Sequence, residues 1–123
     1  MTPTIPTYPP NQFDIPLAHK IDLLYKTIYQ ISPKIPKKDR FGLYLKIENT
    51  CLDIFKFVIS ACFETKTNKL FLLRQARINI EILKRFIRMA GDLKITQRKD
   101  YLNMEIMLQE ISKMTNGWIK YLN

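Results

Sequence analysis

The 123-residue sequence is notable first for what it lacks. No proline occurs from Arg40 to Asn123, although seven lie before that stretch. Five of them (Pro3, Pro6, Pro9, Pro10, Pro16) crowd the first sixteen residues, and Pro33 and Pro36 share one short linker. Prolines at that density favour extended backbone, and their absence permits uninterrupted helices. Only three glycines are present, Gly42, Gly91 and Gly117, and they are scattered. That excludes a glycine-rich phosphate loop. A single histidine, His19, follows Pro16 at the position where a Glu-x-x-His pair would need glutamate, which argues against a di-metal carboxylate site. With no ligand cluster around it, His19 reads as a surface residue. Cys51 and Cys62 are about three turns apart on one predicted helix, too far for an intrahelical disulfide. They read as small apolar side chains in a reducing compartment, and neither has a paired base that would make it a nucleophile. No run of about 18 uncharged apolar residues exists, and no signal-peptide core is visible. The expectation is a cytoplasmic, non-membrane protein with no catalytic residues, no metal and no cofactor.

What is present is helical periodicity. In Lys66–Leu93 the apolar residues Leu70, Leu73, Ala76, Ile80, Leu83, Ile87 and Ala90 recur every three or four positions, the spacing of one helix face. Gly91 marks the expected end of this helix, and Thr67 or Asn68 can cap its start. An earlier helix is predicted from an Asp14 N-cap, with Leu17, Ile21, Leu24, Ile28 and Ile31 inward. A second is predicted from an Asp39 N-cap to about Glu64, with Leu43, Ile47, Cys51 or Thr50, Ile54, Val58 and Ala61 inward, and Phe55, Phe57 and Phe63 adding bulk. Gly42 near its start suggests a close approach of the first helix. A fourth is predicted from Lys99 to Tyr121, with Tyr101, Met104, Met107 or Leu108, Ile111, Met114 or Thr115, Trp118 and Leu122 inward. Gly117 inside it suggests close packing or a bend.

Four amphipathic helices joined by short loops predict an all-α, up-down-up-down four-helix bundle over residues 14–123, preceded by an extended Pro-rich arm over residues 1–13. In that arm Tyr8 and Phe13 would be anchors if it packed on a neighbouring subunit. Phe57, Phe71, Ile78, Ile82 and Phe86 fall off the inward stripes, a surplus that favours oligomerisation.

Charge is the second feature. The formal net charge is +9. Lys66, Lys69, Arg74, Arg77, Lys84, Arg85 and Arg88 against Glu81 and Asp92 place more than half of it on the third helix. Arg74, Arg77, Lys84, Arg85 and Arg88 form a line that can track a phosphate backbone. No aromatic side chains are interleaved for stacking on bases, so recognition of backbone and shape is expected. The same line could face an acidic protein, or simply water with Glu81 paired to Arg77, Lys84 or Arg85. Lys34, Lys37, Lys38 and Arg40 form a second basic cluster in and after the first linker.

Ile35-Pro36-Lys37-Lys38-Asp39-Arg40-Phe41-Gly42-Leu43 ahead of an amphipathic helix, the basic third helix and the late Gly117-Trp118-Ile119-Lys120 together resemble the Avd family, the accessory proteins of diversity-generating retroelements. The resemblance covers roughly residues 15–123. The related ribosomal intervening-sequence bundle proteins share the Pro-Lys-x-x-Arg start. They typically follow it with a "SIPSNIAEG"-like segment, where this chain reads Lys46-Ile47-Glu48-Asn49-Thr50-Cys51-Leu52-Asp53-Ile54. The resemblance implies a pentameric barrel of four-helix bundles that binds the element's reverse transcriptase and its template RNA, and also DNA. It implies a non-catalytic protein that supports mutagenic cDNA synthesis. The alternative is a structural interaction bundle of the intervening-sequence type, with an acidic protein or an RNA as partner.

Overall fold

The computed structural model describes residues 14–123, with the side chains of Asp14 and Ile15 left aside. The expected arm over residues 1–13 and the Asp14 cap lie outside what is described. Four long helices carry the fold: α1 (Asp14–Ile31), α3 (Leu43–Cys62), α4 (Lys66–Asp92) and α5 (Arg98–Leu122). A 3-10 turn (Ser32–Lys34) and the one-turn helix α2 (Lys37–Arg40) bridge α1 to α3. No strand occurs among the described residues. Each long helix packs on two neighbours, α1 on α3 and α5, and α4 on α3 and α5. The chain is therefore an all-α, up-down-up-down four-helix bundle, as the periodicity predicts. No helix of the described residues is long and apolar enough to cross a membrane.

The core follows the spacing rule closely. Leu17, Ile21, Leu24, Ile28 and Ile31 of α1 are buried, as are Ile47, Thr50, Cys51, Ile54, Val58 and Ala61 of α3. Leu73, Ala76, Ile80, Leu83, Ile87 and Ala90 of α4 are fully buried. On α5 the open pairs resolve to Leu108 and Thr115, with Met104, Ile111 and Trp118 also inward and Met107, Met114 and Leu122 packed at the edge. Thr115 is accommodated because its hydroxyl donates to the Ile111 carbonyl at 2.8 Å. His19 is exposed.

Several expectations are corrected. The second predicted helix is not continuous from Asp39. Asp39 lies inside α2, its carbonyl accepts from the Gly42 N–H at 3.1 Å, and α3 begins only at Leu43. The predicted stripe keeps its register, but at its start Tyr44 is fully buried while Leu43 is half-buried and packs at the core's edge. The Tyr44 hydroxyl donates to the Ile28 carbonyl of α1 at 2.5 Å, tying α3 to the last turns of α1. Gly42 does not admit α1: a Cβ there would first meet the Lys38 carbonyl of its own turn, at 3.4 Å. Phe63 is exposed rather than core. On α4, Leu70 packs at the core's edge and Lys69 is buried beside it, with Nζ over the Trp118 ring, 5.5 Å from its centroid. The N-cap position is Thr65, not Thr67 or Asn68, and the Asn68 amide donates instead to Glu64.

Gly91 lies in the last turn of α4 as expected, but it, and not Gly117, is the glycine at a close approach. Gly91 lies inside α4, where a Cβ would stand 2.9 Å from Cδ1 of Tyr101, so it is the residue that allows α4 and α5 to approach. Gly117 faces open space, with nothing within 4 Å of a built Cβ. α4 ends one residue beyond Gly91, at Asp92, and the left-handed residue that turns the chain is Lys94. Lys94 adopts φ 58°, the Lys94 N–H donates to the Gly91 carbonyl at 3.0 Å, and the Ile95 N–H donates to Ala90 at 2.8 Å. This is a Schellman ending with lysine where glycine is the low-cost residue, and buried Ile95 supplies its apolar contact. Of the surplus apolar residues, Phe57 and Phe86 pack against the bundle's own core, whereas Phe71, Ile78 and Ile82 are exposed.

Candidate nucleic-acid interface

The helix that fills the core also builds the candidate site. At about 3.6 residues per turn, Arg74, Arg77, Glu81, Lys84, Arg85 and Arg88 fall within roughly 100° of arc on α4. Because the buried stripe occupies the other side, this arc must face outward. Arg74, Arg77, Arg85 and Arg88 are exposed and make no ion pair or side-chain hydrogen bond among the described residues. Lys84 differs. It is half-buried, its ammonium is 2.9 Å from Glu81, and it donates to Ser112 of α5 at 3.4 Å. Glu81 therefore neutralises Lys84 rather than an arginine. Four guanidinium groups are left available over about four turns, or about 21 Å along the axis from residue 74 to residue 88. Guanidinium is the side chain best suited to bidentate contacts with phosphate.

The second basic cluster divides in the same way. Lys37 and Lys38 of α2 are exposed. Arg40 turns back onto its own linker, donating to the Pro33 carbonyl at 3.3 Å and the Ile35 carbonyl at 3.1 Å, so it holds the turn. Lys34 pairs with Asp100 at 2.7 Å and so joins the linker to the first turn of α5. The alternating topology puts this linker at the same end of the bundle as the C-terminus of α4. Lys37 and Lys38 and the Arg88 end of the arginine line thus share one end.

Beside the arginines runs an apolar strip that sequence reasoning identified in part. Phe71, Ile78, Ile82 and Met89 are exposed and fall within roughly 40° of arc, about a quarter turn from the arginine line. Ile78, Ile82, Glu81 and Arg85 line a shallow surface depression there.

A further feature lies at the α4–α5 turn, one of the short loops of the bundle. A cavity of about 760 Å³ opens between the linker and this turn. Lys34, Lys94 and Arg98 line it, together with Pro36, Thr96 and Tyr101. The sequence signal was two cations four residues apart, Lys94 and Arg98, just before a predicted helix start. Among the described residues no three His, Cys, Asp or Glu side chains group as a metal site. Cys51 is buried, which pushes its thiol up to about 12 and keeps it protonated.

Comparison with known proteins adds one finding. A family described as bAvd-like matches residues 16–122, which is nearly all of the bundle. Among curated proteins, none matches the chain.

Proposed function

The chain belongs to the bAvd-like family, and from that membership we propose that it is the accessory protein of a diversity-generating retroelement, binding the element's reverse transcriptase and template RNA. It acts without catalysis of its own, supports mutagenic cDNA synthesis, and works in the cytoplasm where its RNA is made. Membership makes it an Avd-type accessory protein in general. The observation that carries the finer reading is the line of four exposed arginines on α4, which pair with no other described residue. Lys37 and Lys38 extend the same surface from the linker end. The exposed strip of Phe71, Ile78, Ile82 and Met89 supports assembly into a ring of five copies, since apolar residues in a row beside charge mark a protein contact.

The test is charge reversal of Arg74, Arg77 and Arg88 to Glu, with RNA binding followed by fluorescence anisotropy over a salt series. Each lost phosphate contact removes about 0.7 from the slope of log K against log salt for single-stranded RNA, so three should flatten it by about 2. Circular dichroism checks that the bundle is intact, and light scattering reads the mass, which for five chains of 14.6 kDa is about 73 kDa. Unchanged affinity and slope in a folded variant would reject this face as the RNA surface. Loss of reverse-transcriptase capture with RNA binding intact would assign the arginines to the polymerase instead.

A further inference from the structure

The cavity at the α4–α5 turn is separate from the arginine line and has features of a built anion site. Three cations reach it from three places in the chain: Lys34 from the linker, Lys94 from the turn and Arg98 from the first residue of α5. Their charge is not fully offset. Asp100 takes Lys34 at 2.7 Å and Asp92 also lines the wall, leaving one positive charge in excess. α5 begins here at Arg98 with Gln97 as N-cap residue and no side-chain cap. Its first N–H groups are thus the unsatisfied donors that helix starts offer to anions.

Thr96 also lines the cavity, but its Oγ1, which has no hydrogen-bond partner, is shut away from solvent behind the wall. One further observation points to a ligand. Lys94 is held at φ 58°, where an L side chain costs about 1 kcal/mol and glycine costs nothing. A lysine kept at the one position where glycine would be more stable is explained if its ammonium has work in the cavity. The space is much larger than an inorganic phosphate, and Pro36 and the Tyr101 ring give it an apolar wall.

We propose that this cavity binds a phosphate monoester carried on a planar organic body, that is, a nucleoside 5′-monophosphate. The phosphate sits between Lys94, Arg98 and the start of α5, and the base lies toward Tyr101 and Pro36. The same chemistry has two sources: a free nucleotide, or the 5′-phosphorylated end of a polynucleotide. The proposal does not depend on the arginine line binding RNA.

The test uses the full chain and isothermal titration with AMP as the probe. Saturable binding is expected, weakened about tenfold by Lys94→Gly and by Arg98→Gln, the loss of one charge-assisted contact. Lys94→Gly is decisive because it should raise the urea midpoint by relieving the left-handed lysine while weakening AMP. A merely structural residue would not separate the two readouts. Arg77→Glu with Arg88→Glu should leave AMP affinity as it is. Competition of AMP by a 5′-phosphorylated RNA oligomer, and not by its 5′-hydroxyl counterpart, assigns the polynucleotide end as the source. AMP binding without such competition assigns the free nucleotide. No saturable AMP binding, binding unaffected by Lys94→Gly and Arg98→Gln, or binding lost in the Arg77/Arg88 variant would each overturn the proposal. Inorganic phosphate binding as tightly as AMP would overturn the base contact.

Discussion

Glycine to alanine should have opposite signs at two sites of this bundle. At Gly117 a Cβ meets nothing within 4 Å, and the residue is exposed in the body of α5. Only the intrinsic helix preference and the entropy of the unfolded chain change, together about 0.5–1 kcal/mol in favour of alanine. For a domain of this size, unfolding entropy near 2.1 cal/mol/K per residue converts that gain to roughly 2–4 °C in Tm. At Gly91 the same helix preference applies, but the new Cβ stands 2.9 Å from Tyr101 Cδ1 and 3.2 Å from Cε1. Overpacking of that kind costs about 1–3 kcal/mol, so the net is a loss of roughly 0–2 kcal/mol. Urea unfolding at one fixed protein concentration, followed at 222 nm, reads both. Adding Tyr101→Leu should remove most of the penalty at Gly91 and leave Gly117→Ala unchanged, since the coupling lies in one contact. A stabilising Gly91→Ala equal to Gly117→Ala would refute the close approach of α4 and α5. A destabilising Gly117→Ala would show that α5 is covered or bent at that point.

Tyr44→Phe should cost about 1–2 kcal/mol, because it removes a buried hydroxyl that donates to Ile28 at 2.5 Å. A urea midpoint shifted by less than about 0.3 kcal/mol equivalent, at unchanged m, would deny that bond a net role. Alkaline pH should destabilise the bundle. Burial pushes the Cys51 thiol up to about 12, while in the unfolded chain it titrates near 9.0. Burial, with Glu48 and Asp100 adding to it, raises the Tyr44 hydroxyl as well. Between those values the unfolded state gives up protons that the folded state retains, so stability is complete below about pH 9 and falls as pH rises. Cys51 alone accounts for roughly 1.4 kcal/mol by pH 10. Cys51→Ala should lower stability modestly at pH 8 and shrink the drop between pH 8 and pH 10. An identical drop in both proteins would count against a buried, protonated thiol.

The four long helices were legible because each must bury one stripe, and stripes are written at three- and four-residue spacing. Every fully buried residue of α4 from Leu73 to Ala90 lies on the predicted line. What was not legible depended on residues far away in sequence. Whether a glycine is crowded is decided by the helix opposite: Tyr101 crowds Gly91, and nothing crowds Gly117. Lys69 is buried next to Leu70 because Trp118, 49 positions later, offers its ring. Tyr44 was hidden because it and Leu43, three and four residues before Ile47, share one face, and the Ile28 carbonyl of α1 that takes the Tyr44 hydroxyl lies 16 positions earlier. The arginine line was legible from helix angle alone. Which cations of that line and of the linker cluster go without a partner among the described residues was not, because Lys84 is drawn to Ser112 of α5 and Arg40 to carbonyls of its own linker.

The two outward strips of α4 bear on one another. Arg74 and Arg85 border Ile78 and Ile82, so a neighbouring copy that covered the isoleucines would leave the arginines at the rim of the contact. Covering the apolar strip is favourable at any ionic strength. Gathering +9 per chain into one particle is not, and the repulsion grows as salt is lowered. A polyanion lying along the arginines would relieve that repulsion, so under the proposed assembly RNA binding and ring formation must favour each other to the same extent. The charge-reversal variant then carries information beyond its affinity for RNA. With the arginine rim reversed, its mass at low salt should hold where that of the unaltered protein falls. If instead the variant dissociates at every salt concentration, the arginines belong to the contact between copies and not to a surface for nucleic acid.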